Sequence, residues 1–188
     1  PDKRDYICRE VYYKIDMVPK ILMGTKPPNR GLYPDTNRGT GIGKRGCAIS
    51  FYKAIKYIHL TKKKILVLED DALFADDFVR QFQMISSELL QMERDKYFDI
   101  CLFGVRINGR SEIENIKHFQ HATRTRSANG VYIPPYSADK IMSMDKEKIL
   151  NGIPIDVWFE QNLSSIITPK QTLIKQNHFF DSDITPPK

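Results

Sequence analysis

The chain has 188 residues, 29 of them Lys or Arg against 23 Asp or Glu, for a net charge of +6. That length suits one domain spanning residues 1–188 and leaves no room for a second full one. Its 41% apolar and 28% charged residues are ordinary for a soluble globular protein, and no apolar run approaches the roughly 18 residues of a membrane span. No secretory signal opens the sequence. Cys8, Cys47 and Cys101 are scattered and odd in number, which argues against a disulfide framework and for a reducing, cytoplasmic compartment. The basic excess would suit a nucleic acid, an anionic membrane surface or a phosphorylated small molecule. The longest basic block, Lys62-Lys63-Lys64, reads as a solvated turn before a strand.

In chain order, Ile7, Val11 and Ile15 recur at four-residue spacing and predict a helix over 4–15. Residues 19–23 are expected to form a short strand. Residues 24–46, rich in Gly, Pro, Asn and Arg, read as a long loop of the kind that is functional or disordered. From Cys47, the positions of Phe51, Ala54, Ile55 and Ile58 predict an amphipathic helix. Ile65-Leu66-Val67-Leu68 is a continuous apolar run, as expected for a strand covered on both faces of a parallel sheet. Asp76-Asp77 opens a second helix carrying Phe78, Phe82, Ile85 and Leu89 on one face, and residues 99–103 read as a short strand ending at Gly104. After a polar loop come a strand at 130–133, a helix at 137–144, a helix at 154–163 and short strands near Ile166 and Leu173. Alternating helices and buried strands predict an α/β fold with a mainly parallel central sheet.

Glu69-Asp70-Asp71 follows the most apolar strand directly, and ligands of open α/β sheets bind outside the carboxyl ends of strands. Three adjacent carboxylates repel one another, and burial aggravates this by disfavouring their charged forms. A hard divalent cation, Mn²⁺ or Mg²⁺, relieves the repulsion and completes its shell with water and phosphate oxygens. The alternative is a solvated acidic turn capping the next helix; helix capping also accounts for Asp76 and Asp77. Gly41-Ile42-Gly43-Lys44-Arg45-Gly46 matches G-x-G-x-x-G by letter, but it lacks the upstream strand of the dinucleotide fingerprint. Arg45 also stands where a phosphate loop has Ser or Thr. Arg38, Lys44 and Arg45 beside a helix start would suit a phosphate, or form an ordinary basic loop.

Three segments arrive in order: Gly46-Cys47-Ala48-Ile49-Ser50, Ile65-Leu66-Val67-Leu68-Glu69-Asp70-Asp71-Ala72, and Ala128-Asn129-Gly130-Val131-Tyr132-Ile133. Together they resemble glycosyltransferase family 25, the group that includes bacterial lipopolysaccharide and collagen galactosyltransferases. Phe98-Asp99-Ile100-Cys101-Leu102-Phe103-Gly104 is similar to that family's short strand ending in glycine, Pro154-Ile155-Asp156 to its P-[IV]-D element, and Ser182-Asp183-Ile184 to its S-D-I. Phe51 stands where the family usually has His, and Pro1-Asp2-Lys3-Arg4 resembles a basic segment that the family places after an opening strand; by that resemblance the opening strand is not expected within residues 1–188.

The resemblance implies a GT-A fold, a nucleoside-diphosphate sugar donor (a UDP-sugar), a divalent metal and inversion at the anomeric carbon. By the same resemblance Asp71 ligates the metal, with His178 a further ligand; Glu69, Asp70, Arg4, Arg45 and Ser50 bind the donor. Inversion needs a base at the acceptor hydroxyl. Asp156 is the candidate, with Asp181 and Asp183 its rivals and Trp158 as an apolar platform for the acceptor sugar. The acceptor would be a glycan, a lipid-linked sugar or a protein, and no nucleic acid is expected. Competing readings are another metal-dependent enzyme of phosphate esters, such as a nucleotidyltransferase or phosphohydrolase, and a non-catalytic domain binding nucleic acid or sugar.

Overall fold

The structure, a computed structural model, describes residues 3–15, 20, 41–144 and 153–177. The strand expected at 19–23, most of the 24–46 loop, His178, Asp181 and Asp183 lie outside the described residues. So do the side chains of Arg4 and Lys44, whose backbones are helical.

Helix α1 (Lys3–Ile15) buries Ile7 and Val11 as the four-residue spacing requires. Helix α2 spans Gly41–Thr61 and so begins well before Cys47, taking in the whole Gly41-x-Gly43-x-x-Gly46 segment. Three glycines are poor helix formers, which is why local propensity reads a loop where the structure has the first turns of a helix. Strand β1 (Ile65–Leu68) leads through a turn into β2 (Ala72–Phe74) and then α3 (Phe78–Arg94), whose N-cap is Asp77. Asp77 makes no side-chain capping bond, and Asp76 pairs instead with Lys14 of α1 at 2.7 Å. Strands β3 (Ile100–Glu112) and β4 (Phe119–Ile133) form one long hairpin. The expected polar loop after Gly104 is therefore paired strand. Helices α4 (Pro135–Met142) and α5 (Ile155–Asn162) and strands β5 (Ile166–Pro169) and β6 (Ile174–Gln176) follow close to where they are predicted.

The main sheet has the order β1-β4-β3-β5, and β2 and β6 form a separate two-stranded sheet. The expectation of a mainly parallel sheet is corrected: β3 with β5 is parallel, whereas β1–β4, β3–β4, β4–β5 and β2–β6 are antiparallel. What the apolar run does show is packing on both faces of a half-buried strand. Leu66 and Leu68 pack with the α1, α3, β2 and β6 side chains, and Ile65 and Val67 with those of α2, α4 and α5. Cys101 and Phe103 of β3 face the first layer, Ile100 and Leu102 the second. A strand between two helical layers must be apolar on both faces whatever the direction of its partners.

Two locks position the site. Asp99, before β3, accepts from Lys140 Nζ at 2.7 Å and from the Ser164 and Ser165 backbone N–H groups at 2.8 and 3.1 Å. Burial pushes its carboxyl up, but these donors outweigh that and hold it below its usual range. Gly104 and Gly130, paired across the β3–β4 ladder, let β6 approach closely. A Cβ on Gly104 would lie 2.8 Å from the Ile174 carbonyl oxygen and 3.0 Å from its Cβ. Because the obstacle is backbone, Gly104→Ala is expected to lower stability by about 1–3 kcal/mol, the scale of an overpacked core. Urea unfolding measures this directly.

Candidate active site

The turn between β1 and β2 carries Glu69, Asp70 and Asp71, and it is fixed from both sheets. Glu69 N–H donates to the Asn129 carbonyl at 3.1 Å, extending the β1–β4 ladder, and Asn177 N–H donates to the Asp71 carbonyl at 2.7 Å. Asp71 is only 7% exposed. Its Oδ2 accepts from Gln176 Nε2 at 3.0 Å and its Oδ1 from Asn129 Nδ2 at 3.4 Å. Asn129 Nδ2 also donates to Glu69 Oε2 at 3.1 Å. Asp70, between these two acids, is exposed.

From the opposite side α2 contributes Cys47, whose Sγ lies 3.8 Å from Glu69 Oε1. Burial, followed by the charge of Glu69, raises the Cys47 thiol well above its usual range, so it stays protonated and faces the carboxylate as a neutral donor. Helix α5 contributes Asp156 in its first turn. Asp156 Oδ2 accepts from Ser127 N–H at 2.7 Å and Oδ1 from Val157 N–H at 2.9 Å. Four acids from two distant stretches thus share one corner. Glu69 registers the result: burial, then the charges of Asp71, Asp70 and Asp156, push its carboxyl up to about 7. Such a shift marks a group short of compensating positive charge.

The other predicted site residues divide. Arg45 is half-buried in the second turn of α2 rather than on an open loop. Ser50 donates its hydroxyl to the Gly46 carbonyl at 2.9 Å, one turn back in its own helix. The expectation for Trp158 is corrected: it is 1% exposed and packs edge-on against Phe159 with ring centroids 5.9 Å apart. Ile155, Trp158 and Phe159 form the inward face of α5, so the indole is core and no sugar can stack on it. Asn129, Ser127 and Gln176 were not predicted as site residues. Asn129 lies in the Ala128-Asn129-Gly130 motif, where a buried amide beside acids could have been suspected, whereas nothing in the sequence marks Gln176.

Among the described residues, no group of three or more His, Cys, Asp or Glu is arranged to hold a metal ion, and no helix is long and apolar enough to cross a membrane. The hydrogen bonds separate two substitutions. Asp71→Asn would turn an amide NH₂ toward either Asn129 Nδ2 or Gln176 Nε2, leaving a buried donor unmatched. We expect it to lose about 1–3 kcal/mol in cation-free thermal unfolding, whereas Asp70→Asn, at an exposed position, stays within about 0.5 kcal/mol of wild type.

No curated protein matched the chain. The sequence model of glycosyltransferase family 25, described as an LPS biosynthesis protein, matches residues 32–159, a span that contains Glu69, Asp70, Asp71, Asn129 and Asp156. With a match over more than half of its length, the chain belongs to glycosyltransferase family 25 and is a glycosyltransferase, an enzyme that moves a sugar from a donor to an acceptor.

Proposed function

We propose that this enzyme transfers a sugar from a nucleoside-diphosphate sugar, a UDP-sugar, to an acceptor hydroxyl with inversion, using a divalent cation at the Glu69-Asp70-Asp71 turn. The carrying observation is the meeting of four carboxylates at one corner, with the Glu69 carboxyl pushed up to about 7 by burial and then by its acidic neighbours. A donor set made only of oxygens fits Mg²⁺ or Mn²⁺. Such ions are commonly held by one or two carboxylates and complete their shells with water and substrate phosphates, so no three-ligand protein cage is needed. Asp71 and the exposed Asp70 would hold the ion, and the ion would supply charge neutralisation at the departing diphosphate.

The remaining steps belong to the chain's own residues. Asp71 is oriented by Gln176 and Asn129 and keeps lone pairs on both oxygens. Asp156, part-buried, accepts one backbone N–H at each oxygen and likewise has lone pairs to spare. In the proposed reaction it takes the proton of the acceptor hydroxyl as that oxygen attacks the anomeric carbon. The bond from that carbon to the diphosphate breaks on the opposite face, which gives inversion in a single displacement. The acceptor is a glycan, a lipid-linked sugar or a protein hydroxyl.

The test is a thermal-shift screen of nucleotide sugars with and without Mn²⁺, since a ligand that binds the native state raises its stability. We expect a shift that needs both components and that Asp70→Asn diminishes. Asp156→Asn should keep the shift and lower transfer by at least about 100-fold. Release of nucleoside monophosphate instead of diphosphate would replace this reading with phosphoester hydrolysis.

A further inference from the structure

The β3–β4 ladder is irregular at one place, and the irregularity faces the acidic corner. Between the pairs Gly104↔Gly130 and Arg106↔Arg126, β3 has one residue, 105, while β4 has three, 127–129. These extra residues form a bulge, a device that re-aims side chains beside functional sites. Ser127 within it adopts a left-handed backbone with φ 71°, a conformation unfavourable for a non-glycine residue unless its surroundings hold it.

The bulge directs its side-chain polar groups and the Ser127 N–H at the corner. Ser127 N–H donates to Asp156 Oδ2 at 2.7 Å, and Ser127 Oγ donates to Asn129 Oδ1. With its oxygen so occupied, the Asn129 amide can turn only its NH₂ toward the acids, meeting Glu69 Oε2 at 3.1 Å and Asp71 Oδ1 at 3.4 Å. The result is one connected path from Asp156 through Ser127 and Asn129 to Glu69 and Asp71. Asn129 is 3% exposed, so no substrate reaches it, and its NH₂ has no lone pair to offer a cation.

We infer that the bulge at 127–129 is a positioning element: Asn129, anchored by Ser127, sets the orientation of the donor-side carboxylates and ties it to that of Asp156. This rests on the proposed function, which assigns the two sides. Groups behind the ligands of a site commonly govern its affinity and rate by 10- to 100-fold without touching substrate. A regular β4 would lack the two extra residues that bring both the Ser127 N–H and the Asn129 amide to bear on one corner.

The experiment measures Mn²⁺ affinity by the electron paramagnetic resonance of free Mn²⁺, together with kcat and KM for transfer or donor hydrolysis. Wild type, Asn129→Ala, Ser127→Ala and the double variant are compared well below each protein's own melting temperature. We expect Asn129→Ala to weaken Mn²⁺ binding and lower kcat by about 10- to 100-fold each, with a smaller change in acceptor KM. Ser127→Ala should move the same quantities in the same direction by less. The double variant should be no worse than Asn129→Ala, because the two side chains act in series. If Asn129→Ala does not fold, Ser127→Ala carries the test, and a loss of at least about threefold in Mn²⁺ affinity is required. Folded variants with wild-type Mn²⁺ affinity and kcat overturn the inference alone. A wild-type protein that binds no Mn²⁺ overturns the proposed function and the inference with it.

Discussion

Repulsion between like charges in a poorly hydrated corner is the constraint around which this protein is arranged. Glu69, Asp70 and Asp71 are forced together by adjacency, and the fold then adds Asp156 from α5. Burial of Glu69 and Asp71 denies these two the water that would ordinarily screen them, although Asp70 between them is exposed. Glu69, Asp71 and Asp156 meet neutral donors among the described residues: the amides of Asn129 and Gln176, the Cys47 thiol and backbone N–H groups. Hydrogen bonds orient carboxylates but do not cancel their charge, and burial together with that imbalance raises the Glu69 carboxyl. In the proposed reaction, a cation with a phosphate counter-ligand balances it.

The architecture serves that corner. The two-stranded β2–β6 sheet and the four-stranded sheet meet there, and Asp71 is bonded to both, through Gln176 of β6 and Asn129 of β4. Gly104 and Gly130 permit this by letting Ile174 sit directly over the main sheet. Asp71 therefore has a structural duty alongside its proposed chemical one, and a substitution there disturbs both. Asp70, exposed and adjacent, is the cleaner probe of cation binding.

How much of this could be read from the residues depended on the kind of signal. The run Ile65–Leu68 correctly marked a strand covered on both faces, with an acidic turn at its end. It carried no information about strand direction, because packing on both faces follows from the helical layers and not from the partner's polarity. The partner itself, β4, was half hidden. Its first part, Gln120 to Ser127, is Thr- and Arg-rich, and the bulge breaks the two-residue alternation by which strands are recognised, so it read as a loop. The glycines at 41, 43 and 46 concealed a helix start because their intrinsic helix propensity is weak. Trp158 was misread because an aromatic near a candidate base looks like a platform, while the spacing Ile155, Trp158, Phe159 already described a buried helical face. Asn129 and Gln176 act through long-range contacts, |i−j| of 60 for Asn129 to Glu69 and 105 for Gln176 to Asp71, and no local pattern announces such contacts.

The central claim is that the acidic corner binds a divalent cation which in turn binds the donor's diphosphate. Crystals grown with Mn²⁺ and a nucleoside diphosphate, with diffraction collected at the manganese absorption edge, test it most directly. The account predicts an anomalous peak in coordination contact with the carboxylates of Asp71 or Asp70 and with diphosphate oxygens. A nucleotide bound elsewhere, or bound at this corner with no anomalous peak beside it, would contradict it.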